Sequence, residues 1–376
     1  MMNFNNNEIN ISIAGDIAPI GINEFLFSSG DKDTILNGLK ISSDYLIANL
    51  ECPLTESQKR ISKSGPNIKA RPTTINGMKN IGVDCVNLAN NHILDFDSIG
   101  LNDTLNLLEE ANIESFGAGK NSLKANSIKV IEIKGIKIGL YGVCEQEWSC
   151  ATEDRPGANS IDPISFLNIK DEVQYDFLIV MIHGGREHYP YPTPNLQKTA
   201  RFFSDYGASA VVCQHTHITG CIEEYNGVPI FYGQGNFIFS NRDNLSDDWN
   251  LGYVIQFRIS KKKFDWKIQP FEQNREKGGV QPLKKEKEIQ YLKNLDKRSI
   301  QVDNPKYVSE KWNSYCKSQE YIYRRQLSGL NKRFYYLITK FGLERYFFQK
   351  NSVKNQLNLI RCETHHEILT NILSDD

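Results

Sequence analysis

Six side chains far apart in the sequence, Asp16, Glu51, Asn91, His183, His215 and His217, are of the types that ligate divalent metal. Carboxylate, amide and imidazole with no thiolate beside them favour a hard-to-borderline ion such as Mn²⁺, Fe²⁺ or Zn²⁺. His215 and His217 are two residues apart, a spacing that turns both imidazoles to one side of an extended segment. Six protein ligands are more than one catalytic metal ordinarily takes, whereas two ions bridged by one carboxylate and a water would use them all. Such a pair acidifies the bridging water, aligns a phosphoryl group and neutralises charge as an ester bond breaks. His92, next to Asn91, would be placed to protonate the leaving oxygen. The chemistry these residues suggest is hydrolysis with two metal ions.

Each signal has a plainer reading when taken singly. Gly15-Asp16 is a common turn, Asn90-Asn91-His92 could cap a helix, and His183 could be a satisfied histidine at a strand end. What joins them is their place at the ends of apolar runs. Candidate strands Ile9 to Ala14, Tyr45 to Leu50, Asp84 to Leu88, Phe177 to Ile182 and Ala208 to Cys213 each lead into one of these polar groups. Strand ends are where α/β folds place their active sites. Between the strands, Ile99 to Ala111 and Asn195 to Tyr206 read as helices, the second stopping at Gly207.

Hairpin signals are interleaved with these. Ser127 to Ile133 and Ile136 to Tyr141 flank Gly135, Cys221 to Tyr225 and Val228 to Tyr232 flank Asn226-Gly227, and Leu251 to Ile259 with Phe264 to Phe271 close the series. A mixed α/β fold accounts for both kinds of strand: two sheets in a sandwich, flanked by helices. The domain reading is 1–280 for this core and 281–376 for a basic, aromatic-rich helical extension. Between 281 and 350 there are 16 Lys or Arg against 7 Asp or Glu. That segment reads as a helical cap, a basic surface for an anionic partner, or a peripheral membrane contact.

The 40% hydrophobic content allows a sizeable core, and a net charge of −1 gives no reason to expect nucleic acid as a partner. Met1 to Asn7 is polar and unlike a signal peptide, and no run approaches the ~18 apolar residues of a membrane span. The expected location is cytoplasmic, with membrane association through the extension left open. None of the eight cysteines forms a C-x-x-C pair, so buried free thiols are expected.

The order Gly15-Asp16, Asn49-Leu50-Glu51, Ala89-Asn90-Asn91-His92, His183-Gly184-Gly185, His215-Thr216-His217 and Gly235-Asn236-Phe237 resembles the capsule-synthesis CapA family, linked to poly-γ-glutamate capsules. The resemblance covers roughly residues 9 to 260 and is densest over Asp84 to Gly119 and Gly207 to Phe239. It implies a calcineurin-type metallophosphoesterase sandwich (α/β/β/α). It also implies a metal-dependent hydrolase acting on a phosphoester or related bond of an anionic cell-surface polymer, and association with capsule-synthesis partners. Asp16 and His217 would then hold one ion, Asn91, His183 and His215 the other, and Glu51 would bridge. Arg71, in Lys69-Ala70-Arg71-Pro72, could meet an anionic substrate or form a surface salt bridge. Asp95 would orient His92, and Glu187 would act likewise near His183. Ala18 stands two residues after Asp16, where ordinary metallophosphoesterases carry a second histidine. His188 and His365-His366 read as surface residues.

Overall fold

A computed structural model describes residues 8–239 and 247–374; Met1 to Asn7, read above as a polar start, lies outside them. The apolar runs form strands, and the strands form two sheets. Four parallel strands come first: β1 (Ile9–Ala18), β2 (Tyr45–Leu50), β3 (Cys85–Asn87) and β4 (Glu114–Phe116). A short pair follows, β5 (Ala118–Gly119) with β8 (Gly157–Ala158). The second sheet is built from β6 (Lys129–Ile133), β7 (Ile136–Cys144), β9 (Phe177–His183), β10 (Ala210–Gln214), β11 (Ile222–Tyr225) and β12 (Val228–Tyr232). Its order is β11-β12-β10-β9-β7-β6, with a parallel centre and an antiparallel hairpin on each edge. The chain then returns to the first sheet as β13 (Asn236–Phe239), β14 (Leu251–Ser260), β15 (Lys263–Gln273) and β16 (Val280–Pro282). That sheet runs β16-β15-β14-β1-β2-β3-β4, and β13 also pairs with β1.

Three apolar layers explain why the strands read as continuous hydrophobic runs. Between the sheets, Ile11, Ile13 and Ile47 of the first pack with Ile138, Ile179 and Val212 of the second. The outer face of the first sheet is covered by helices Ile22–Ser29, Ile75–Ile81 and Asp97–Glu110, which bury Phe27, Met78 and Leu101. On the outer face of the second, helices Pro163–Ile169 and Pro194–Asp205 bury Phe166 and Phe203. Both faces of each sheet are therefore dry, the condition under which parallel strands are stable. This is a mixed α/β sandwich flanked by helices, as the sequence suggests.

The strand bounds follow their local chemistry. The Asn226-Gly227 turn takes φ of 51° and 78°, the two left-handed residues a tight hairpin requires. The chain divides into two compact units, Met1–Glu310 and Lys311–Asp376. Residues 281–310, grouped with the extension in the sequence reading, pack with the first unit: Leu283, Tyr291 and Leu295 join the inter-sheet core and Val302 and Val308 the outer one. The second unit is helical, as expected of the extension. No helix among the described residues is long and apolar enough to cross a membrane. All eight cysteines are free thiols, six of them buried.

Candidate metal centre

Asp16 sits where β1 is irregular. The strand pairs in parallel with β2 and with β13, and both registers slip around Asp16. The backbones approach so closely that a Cβ on Gly15 would lie 2.0 Å from the Gly235 carbonyl oxygen, so only glycine fits before the aspartate. Glu51 follows the last residue of β2, Asn91 lies in the turn after β3, and His183 ends β9. His215 and His217 follow β10 with φ of 91° and 57°, unusual for residues with a side chain. The turn holds both histidines in strained backbone, a cost that persists where surrounding structure enforces it.

These six side chains converge. The Nε2 of His183 lies 3.1 Å from Asn91 Oδ1, 3.1 Å from His215 Nδ1 and 3.4 Å from Glu51 Oε1. The ring of His217 approaches Asp16 Oδ2 and Glu51 Oε1, each at 3.9 Å. Two donor groups result, Glu51 with His183 and His215, and Asp16 with Glu51 and His217, in each of which all ligand atoms lie within 4.8 Å of one another. Glu51 belongs to both. All six residues are buried.

The electrostatics fit a cation. Glu51 is fully buried, and neither of its carboxylate oxygens has a hydrogen-bond partner. A carboxylate left so is costly unless positive charge answers it. Burial, and secondarily the charge of Glu187, push its pKa well above the ordinary range. Burial and the neighbouring Glu51 charge raise Asp16 to about 8. The histidines move the other way: burial lowers His183, lowers His215 further and takes His217 to about 3, which keeps the imidazoles neutral and able to ligate. Glu51, His183 and His215 could hold one ion with Asn91, and Asp16, Glu51 and His217 a second.

A pH dependence of stability follows for the metal-free protein. Between the unfolded value of 3.8 and the folded value of about 8, folded Asp16 holds a proton that the unfolded chain has lost, so stability falls as pH rises. His217 acts oppositely: from about 3 to 6.5 the unfolded chain holds the extra proton, so stability rises with pH. The two slopes oppose each other up to about pH 6.5; beyond it Asp16 and Glu51, both held protonated by burial, lower stability together. Metal-free protein should lose at least about 2 kcal/mol between pH 6.5 and 8 in urea unfolding, the share Asp16 alone accounts for, and saturating Mn²⁺ should flatten that decline. A flat metal-free profile would refute the assignment.

Around this cluster lies a polar frame that the sequence reading left without roles. Asn49 donates to Asp16 Oδ1 at 2.8 Å and lies 3.3 Å from His183 Nδ1, while Asn87 and Asn90 donate to its own carbonyl oxygen. Asn236 Oδ1 faces His217 Nδ1 at 2.9 Å. Amides buried inside apolar strands are the signal that could have marked them. Arg186, three residues after His183, is close enough for its charge to depress His215 further. Trp249 and Phe239 wall His217, with ring centroids at 4.6 and 5.1 Å, and nothing in their local sequence announces it. His188, read as a surface residue, is exposed, with its ring 5.5 Å from Trp249.

His92 is buried beside the cluster, and its Nδ1 lies 2.7 Å from Asp95 Oδ2. Asp95 also accepts from the Ile68 backbone N–H at 2.7 Å and forms a buried ion pair with Lys63, whose ammonium reaches the Asn91 carbonyl at 3.2 Å. A lysine in a Ser-, Gly- and Pro-containing loop looks solvated in sequence, so Lys63 was missed. Arg71 lies apart from these contacts: its side chain is two-thirds exposed, at 67%, and its Nε is 3.7 Å from Glu24. Glu187 is half-buried, and its charge is felt at Glu51 and His183.

An α/β sandwich with a buried carboxylate–imidazole cluster at its strand ends is the class that fold and site define. Residues 11–241, more than half of the chain, match the family of bacterial capsule synthesis proteins termed PGA_cap, and the chain belongs to that family. The capsule biosynthesis protein CapA of Bacillus anthracis is 31% identical over 209 residues, 53% of this chain and 51% of that protein. The PGA biosynthesis protein CapA of Bacillus subtilis is 30% identical over 227 residues, 58% and 59% of the two chains. The chain thus spans between about half and three fifths of the length of these curated relatives. Among solved structures, a hypothetical protein from Thermus thermophilus aligns with a TM-score of 0.48 at 14% identity, over 71% of this chain and all of that one. The 5'-nucleotidase of Candida albicans aligns at 0.40 and 13%, over 84% and 59%.

Proposed function

We propose that the chain is a metal-dependent hydrolase that cleaves a phosphoester or related bond in the metabolism of a capsule or other cell-surface polymer. The observation that carries this reading is Glu51, a buried carboxylate without hydrogen bonds that belongs to two donor groups at once. In it, Asp16 and His217 would hold one ion, Asn91, His183 and His215 the other, and Glu51 would serve both. When bound, such ions acidify water and stabilise the charge that develops on a phosphoryl group.

The remaining work falls to the chain's own residues. Asp95, accepting from Nδ1–H, orients the His92 ring and leaves Nε2 to carry a proton to the departing oxygen. Burial lowers the His92 pKa more than Asp95 raises it, so the free protein holds the ring neutral at pH 7 and an anionic substrate favours its protonation. Lys63 braces Asp95 and the Asn91 carbonyl together, coupling the proton carrier to a metal ligand. Arg186, whose charge reaches His215, and Arg71, 3.7 Å from Glu24, would supply cations for a substrate anion.

Metal analysis of purified protein, with hydrolysis of an aryl phosphodiester, tests the reading. Bound Mn, Fe or Zn and activity lost in Asp16→Asn and His215→Ala are expected; metal-free protein, or unchanged activity in both variants, would refute it. A second reading, in which the chain is chiefly a component of a capsule-synthesis assembly, is favoured by its family. The two readings are compatible.

A further inference from the structure

The unit Lys311–Asp376 carries a surface of unusual composition. Between 311 and 361 there are 11 Lys or Arg against 2 Asp or Glu. Of the 27 exposed large apolar side chains among the described residues, 16 fall within this unit. Charge and apolar surface coincide on the helix Lys332–Lys340. Its Tyr335 and Ile338 are buried, Tyr335 against Tyr321 at 5.2 Å between ring centroids, and this face holds the unit together.

A second apolar face of the same helix points to solvent. Phe334, Leu337 and Phe341 follow the i, i+3, i+7 spacing of one helical stripe and are exposed, Phe341 by 68%. At 100° per residue, Arg333 and Lys340 fall on one flank of that stripe. Leu343 and Tyr346, just beyond it, are also exposed, and Arg345 lies over the Tyr346 ring at 5.1 Å. An exposed apolar stripe with basic residues along its flank, on a helix too short and too polar to span, is the pattern of a segment that lies in a bilayer interface. Protein-protein interfaces deplete lysine, and a soluble polyanion would have no use for three exposed apolar side chains in register.

We propose that this unit binds the surface of an anionic phospholipid bilayer, with Phe334, Leu337 and Phe341 entering the interface and Arg333 and Lys340 meeting the headgroups. The inference is independent of the metal reading, because none of its residues belongs to the metal cluster. Each basic side chain near an anionic surface contributes roughly five-fold in affinity, a contribution that salt screens.

Sedimentation of the full chain with phosphatidylcholine vesicles containing none, or about 30%, of phosphatidylglycerol tests it. Binding to the anionic vesicles only, weakened at high salt, is expected. Arg333→Glu with Lys340→Glu, each removing a positive and adding a negative charge, should reduce partitioning by about 100-fold or more. Phe334→Ser with Leu337→Ser and Phe341→Ser should abolish the binding that survives high salt, and as these positions are exposed, circular dichroism should be unchanged. Failure to bind anionic vesicles overturns the proposal, as does binding by either variant that equals the parent's. Capture of soluble poly-γ-glutamate without vesicle binding would assign the basic face to a polyanion instead. Metal content should be the same in every variant, which keeps this test separate from that of the hydrolase.

Discussion

Glu51→Gln is expected to remove both metal ions at once and lower hydrolysis of an aryl phosphodiester by at least about 10³-fold, the largest single effect in the molecule. The reason is arithmetic as much as chemistry: Glu51 is the residue common to the two donor groups, so its loss takes one anionic donor from each. Asp16→Asn touches one group and should leave the other ion measurable. Stability provides a second readout. Saturating metal should stabilise the parent by about 3 kcal/mol at a hundred times its dissociation constant and leave the Gln variant unmoved. Metal-free, the variant should be about as stable as the parent, since the amide replaces a carboxyl group that burial already holds protonated. A Gln variant that keeps both metal and activity would end the two-ion reading.

His92→Gln should show an effect that depends on the leaving group. A p-nitrophenolate departs without a proton, so hydrolysis of the aryl diester should fall less than about five-fold. An alkoxide needs the proton, and an alkyl phosphodiester should be cleaved about 10²- to 10³-fold more slowly by the variant. Metal content should not change, because His92 lies outside both donor groups. Equal losses on the two substrates would make His92 a structural residue rather than a proton carrier. Asp95→Asn should follow His92→Gln in direction, as Asp95 touches the ring only at Nδ1.

Legibility in the sequence varied with how much of each element's environment is local. Tyr45 to Leu50 reads as a strand and is one, because its apolar run is buried on both faces and ends at a chemically distinct residue. The six candidate ligands come together because strand ends of a parallel sheet share one edge, a rule that needs no knowledge of the register. By contrast β13 is four residues long and reads as part of a motif; what makes it a strand is its pairing with β1, two hundred residues away in the sequence. The helix Lys285–Ser299 is assigned to the extension by its charge, yet its Tyr291 and Leu295 seal the inter-sheet core. Lys63 and Trp249 were invisible for the same reason: long-range contacts decide what their side chains meet.

The two sheets contribute equally to the cluster. Asp16, Glu51 and Asn91 come from the edge of one, and His183, His215 and His217 from the edge of the other. Neither layer alone owns a complete set, so the geometry of the centre is a measure of how the layers are aligned. Ile11, Ile13, Ile179 and Val212, packed between the layers, act as the shims of that alignment. A cavity opened among them lets one half of the cluster slide against the other, and the damage would surface as altered metal selectivity before it surfaced as unfolding.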